Sequence, residues 1–124
     1  MDINNMIEGI KLHPEYRNVG MIAGHCGIVR SFSRDGSTVT GMDVHFDDEK
    51  IREILDDIKS RPGIVEALID TKRGRLTAGE EFVAVLVAGD IRDHVFPALF
   101  DAVNRVKAEA VTEKEHIVES TTTG

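Results

Sequence analysis

Seven basic residues, Arg30, Arg34, Lys72, Arg73, Arg75, Arg92 and Lys107, fall where strand ends, turns and helix ends are expected, in a chain whose formal net charge is -7. Lys114 follows Lys107 by seven residues. Guanidinium forks and ammonium groups are the side chains that grip phosphate and carboxylate. Composition alone favours the plain reading, solvated surface charge. The alternative is that these termini converge on one rim of a sheet-plus-helix domain and form an anion pocket. The acidic balance disfavours a general nucleic-acid or anionic-membrane role, so an anionic ligand has to meet a local basic cluster.

Other chemistry-bearing residues offer less. Gly20, Gly24 and Gly27 do not spell a phosphate loop and no GK[ST] follows, so a bulged strand or a close backbone approach is expected there. His25 and Cys26 are adjacent, and adjacent strand residues face opposite ways; His13, His45, His94 and His116 lack ligand spacing, so no metal site is expected. Cys26, the single cysteine, excludes an internal disulfide, fits a reducing compartment and reads as a small buried hydrophobe. Asp56-Asp57 and Glu80-Glu81 read as surface.

The elements that must carry the basic residues follow from periodicity. Ile3, Met6, Ile7 and Ile10 predict a short helix ended by His13-Pro14. Gly20 to Phe32 predicts a strand with Arg30 near its end, hairpin-paired across the Arg34–Ser37 turn to a second strand from Thr38 to Phe46. Asp47 and Asp48 cap a helix that turns Ile51, Ile54, Leu55 and Ile58 inward and stops at Pro62-Gly63. Ile64–Thr71 is a third strand, Lys72–Arg75 a basic turn, Thr77–Glu80 another turn, and Phe82–Ala88 a strand apolar enough to be covered on both faces. A long helix starting between Asp90 and Phe96 carries Ile91, Val95, Leu99, Val103, Val106 and Ala110 as its stripe, with Arg92 and Lys107 near its extremities. Val111-Thr112 leaves the helix for an extended tail, and residues 120–124 are expected to be disordered.

At 124 residues this is one domain, 1–119, of α/β (α+β) class, a mixed sheet with flanking helices. No apolar run approaches the roughly 20 residues that span a bilayer, and the first residues lack signal-peptide character, so a cytoplasmic protein is expected.

The segment GMIAGHCGIVR, with Gly27, Val29 and Arg30, then Gly74-Arg75-Leu76 and Gly79-Glu80, and then the run through Arg92, Phe96, Lys107 and Lys114, resembles the large, catalytic subunit of molybdopterin synthase. The resemblance covers about 20 to 116 and rests on shared spacing. The chain departs from the family at three places. Ile91-Arg92 stands where the family has His-Arg, Thr71-Lys72 where it has another His-Arg, and Val111 with Glu113-Lys114 where it has a proline and then Trp-Lys.

The resemblance implies an α/β-hammerhead fold and a place in molybdenum cofactor biosynthesis. It implies sulfur transfer from the C-terminal Gly-Gly thiocarboxylate of a ubiquitin-like small subunit to a cyclic pyranopterin monophosphate, giving the molybdopterin dithiolene. Two large subunits would form a homodimer within a heterotetramer. Arg30 and Arg92 would bind the phosphorylated substrate. Lys107, as proton-transfer group or nucleophile, and Lys114, orienting or stabilising developing charge, would be the catalytic pair. No metal or cofactor is implied at this step, because molybdenum enters later. The alternative is a non-catalytic paralogue that keeps the groove for the ubiquitin-like tail.

Overall fold

The computed structural model describes residues 2–118; the tail expected at 120–124 lies outside them. The elements run α1 (Ile3–Lys11), β1 (Met21–Ile28), β2 (Val39–Phe46), α2 (Asp48–Lys59), β3 (Ile64–Thr71), β4 (Gly74–Thr77), β5 (Glu81–Gly89), α3 (Arg92–Arg105), a π-helical turn (Val106–Ala110) and β6 (Val111–Ile117). The α+β domain expected from periodicity is the one that forms. Its strands divide between two antiparallel sheets, β1-β5-β3 and β4-β2-β6, instead of sharing one mixed sheet.

β5 is the centre of the first sheet, and Phe82 to Gly89 are all buried. Alternation sends Leu86 and Ala88 towards α1, where they pack with Ile10, and sends Val83, Val85 and Val87 towards the main core with Val95, Ala98 and Ile54. Both faces are therefore covered, as a continuous apolar run requires.

The expected β1–β2 hairpin does not form. β1 pairs along its whole length with β5, while β2 joins β4 and β6, and Phe32 and Thr38 make the bridge that stands between the two sheets. The glycines explain the choice. A Cβ at Gly24 would lie 2.5 Å from Leu86 Cδ2 and one at Gly27 2.6 Å from Val83 Cγ1, so β1 is shaped to admit the bulky side chains of β5. The bulge expected in this stretch falls between Gly27 and Ile28.

Two further strands come from segments read as turn and tail. Gly74–Thr77 pairs with Gly41–Val44, and Val111–Ile117 pairs with β2 along nearly its full length. α3 begins at Arg92, because the amides of His94 and Val95 donate to the Ile91 carbonyl. Ile91 itself is extended and half-exposed, so it precedes the helical stripe instead of opening it. The buried stripe is Val95, Ala98, Ala102, Val106 and Ala110, with Leu99 and Val103 partly covered.

Candidate functional site

The Val106–Ala110 turn decides where Lys107 points. Val106 and Ala110 are buried, and the Asp47 amide donates to the Ala110 carbonyl, so the turn is clamped to the start of α2. Arg105, just before it, donates to Asp57 on α2 at 3.1 Å and to Glu109 at 2.7 Å. The short side of the turn left outside the core carries Lys107.

Its amine meets two groups. Nζ lies 5.7 Å from the centroid of the Phe82 ring and donates to Glu113 Oε1 at 2.5 Å. The charge nearest the amine is thus a carboxylate. Arg30 stands two residues beyond β1 with its guanidinium 5.3 Å over the Phe32 ring. Arg34 follows on the same loop. These three cations line one cavity of about 360 Å³, with Phe82, Val83 and Val103 as apolar wall and Glu113 and Glu115 on the β6 side. A second, more open hollow of about 420 Å³ shares the same five charged groups and adds Ser33 and Asp35. Hydrogen bonds from Ser33 and Ser37 hold the Asp35 carboxyl down at about 2, so it is anionic at any ordinary pH. Across both hollows three cations stand beside three carboxylates.

Cys26 also lines the cavity. Burial, with the Glu81 carboxylate adding to it, pushes its thiol up, which leaves it protonated and poorly nucleophilic at neutral pH.

Arg30 and Lys107 are thus brought together; the other two candidates are elsewhere. Arg92 opens α3, its side chain 82% exposed, beside a shallow depression formed with Gly20, Asp90 and Asp93. From Lys107 it is separated by the length of the helix, on the order of 20 Å at 1.5 Å per residue. Lys114 lies opposite Asp43 in the β2–β6 ladder, on the outer face of the second sheet. There His116 Nε2 is 3.1 Å from Asp43 Oδ2 without forming an aligned hydrogen bond, and this close approach, with the charges of Arg75 and Lys114, holds the Asp43 carboxyl below its usual range. Lys72 and Arg73 are surface ion-pair partners of Glu80 and Asp48.

Arg34 belongs to the basic set for which an anion pocket is one reading of the sequence, whereas Glu113 and Glu115 are site members that sequence reasoning missed. Glu113 and Glu115 differ by two, which places them on one face of a strand; reading β6 as a tail concealed that.

The model of the family described as MoaE protein matches residues 1–109. Among curated proteins none matches in sequence. Solved structures share the fold. Molybdopterin synthase from Staphylococcus aureus is 21% identical with a TM-score of 0.72, covering 85% of this chain and 84% of that one. A molybdopterin biosynthesis MoaE protein from Burkholderia ambifaria MC40-6 is 20% identical with a TM-score of 0.75, covering 99% and 87%. A protein-protein complex of subunits 1 and 2 of the molybdopterin-converting factor from Helicobacter pylori 26695 contains a chain 13% identical with a TM-score of 0.71, covering 100% and 87%.

Proposed function

The chain belongs to the MoaE family of molybdopterin biosynthesis, and from that membership we propose that it is the large, catalytic subunit of a molybdopterin synthase. Members of the family are the catalytic subunits of that enzyme. In this reading the substrate is a cyclic pyranopterin monophosphate and the sulfur donor is the C-terminal thiocarboxylate of a ubiquitin-like small subunit. The observation that carries it is the meeting of Arg30, Arg34 and Lys107 around one cavity with an apolar wall. Two guanidinium forks suit a phosphate, and the wall at Phe82 suits a flat heterocycle.

In each transfer the thiocarboxylate sulfur replaces an oxygen on a pterin side-chain carbon, the carbon–sulfur bond forming as a carbon–oxygen bond breaks. The oxygen leaves with the opened cyclic phosphate at one carbon and as water at the other, and water then cleaves the resulting acyl thioester to a carboxylate and a pterin thiolate. Lys107 is the group placed to move the protons these steps exchange, and Phe82 beneath its amine limits water on that side. Lys114 acts from the outer face of β6, at longer range, on the charge that develops. Arg92 enters the reaction from a second copy of the chain, since its own helix carries it away from Lys107. That places the catalytic unit in a homodimer flanked by small subunits, the arrangement we propose for the cytoplasmic enzyme. The Helicobacter pylori complex of subunits 1 and 2 is consistent with such a partner.

Reconstitution tests the reading. The chain, a thiocarboxylated small subunit and the cyclic precursor are combined and the dithiolene product is measured. Product formation that is lost in Lys107→Ala supports the proposal; absence of product with the unaltered chain ends it. The second reading, a non-catalytic paralogue that still binds the tail, is favoured by the ion pair that occupies Lys107. Capture of the small subunit without any product would establish it.

A further inference from the structure

We infer that Glu113 sets the ligand selectivity of the Arg30–Lys107 cavity, occupying the lysine until a ligand anion replaces it; this rests on the reading of the cavity as an anion site. Glu113 sits opposite Val44 in the β2–β6 ladder, and its carboxylate reaches back six residues to the amine of Lys107 at 2.5 Å. Its side chain is 27% exposed against 52% for the lysine, and both line the cavity, so the carboxylate occupies a position that a ligand anion would take beside the amine.

The pair is not required to hold β6 in place. The ladder runs from Val39 opposite Ile117 to Phe46 opposite Val111, and the Asp47 amide fixes the carbonyl of Ala110 at the strand's entry. A role as a structural pin would therefore be redundant. What the pair changes is the ligand that can enter.

A simple carboxylate arriving at Lys107 exchanges one carboxylate partner for another, with little net gain. A phosphate dianion that also reaches Arg30 and Arg34 gains charge-assisted bonds that Glu113 does not supply. With Glu113 present, the cavity should discriminate by how many cations a ligand engages at once. That makes Glu113 a specificity-determining residue.

Calorimetric titration of the full chain with inorganic phosphate, with acetate as competitor, compares the unaltered protein with Glu113→Gln, Glu115→Gln and the double variant Glu113→Gln/Lys107→Gln. Glu113→Gln should bind phosphate about two- to fivefold tighter, the span of an exposed ion pair, and should let acetate compete more effectively. Glu115→Gln makes the same charge change in the same cavity without contacting Lys107, and should shift affinity less. The gain should vanish in the double variant. Equal gains in the two single variants, a gain that survives loss of Lys107, or an unchanged or weaker affinity in Glu113→Gln would overturn the inference. Phosphate that binds none of the proteins would overturn it together with the anion site. No turnover is read. A chain that makes no dithiolene yet shows the gain refutes the sulfur-transfer reading alone, and a productive chain without the gain refutes this inference alone.

Discussion

Lys107 is the residue at which the site's chemistry and its charge balance meet. One side of its amine faces an aromatic ring and the other a carboxylate, with two arginines lining the same cavity. If the chain carries out the proposed sulfur transfer with Lys107 moving the protons, replacement by alanine should lower the rate of dithiolene formation by about 10²–10⁴, the usual worth of a positioned proton-transfer group. Lys107→Arg separates charge from proton transfer, because a guanidinium keeps the pair with Glu113 but does not give up its proton at neutral pH. The arginine variant should therefore stay nearly as slow as the alanine variant; recovery to near the original rate would reduce Lys107 to an electrostatic role. Lys114→Ala, altered on the opposite face of β6, should cost less than about tenfold in the same assay.

At the scale of elements, the site is held by α2 and by the turn between β4 and β5. The Asp47 carboxylate caps α2 by accepting from the amides of Glu49 and Lys50, and Ile51, Ile54 and Ile58 drive the helix onto the core. Ile54 is fully buried, so Ile54→Ala should cost about 2–5 kcal/mol in urea unfolding through lost transfer energy and the cavity left behind. The β4–β5 turn is tied by Glu80, which accepts from Lys72 at 2.7 Å and from the Thr77 amide at 2.6 Å. These bonds bring its carboxyl from 4.5 down to about 2. A value lower in the folded chain than in the unfolded one means that the stabilisation is complete above about pH 4.5 and is lost as pH falls towards 2. Thermal midpoints followed downwards through that window should drop less steeply for Glu80→Gln than for the unaltered protein. Asp35 titrates in the same window and will leave part of the slope in both.

At the scale of the whole molecule, Arg92 and Lys107 lie at opposite ends of one rigid helix, so no side-chain motion brings them to one ligand within a protomer. Phe96 and Phe100, which follow Arg92 at steps of four on α3, are exposed by 53% and 69%, leaving an apolar strip beside it. If a second copy supplies Arg92, chains carrying Arg92→Ala and chains carrying Lys107→Ala should complement each other. Half of randomly re-paired dimers are mixed and each has one intact site, so roughly a quarter of the original activity should return. No recovery on mixing and re-pairing would remove Arg92 from the site.

Elements whose signal is local were legible in the sequence. α1, α2 and β3 follow from periodicity and capping, and the burial of β5 follows from its unbroken apolar run. The resemblance carried by Arg30 and Lys107 named two residues that do line one cavity. Strand partnership was different, because it depends on residues far apart in the chain. The four residues of β4 and the charged residues of β6 form strands only because β2 offers hydrogen-bonding edges on both sides. Once β6 joins that edge, pleating alone puts Glu113 and Glu115 into the cavity and Lys114 outside it. The identity of the basic residues was therefore written in the chain, whereas the carboxylate that meets Lys107 was decided by register, a property of the folded sheet.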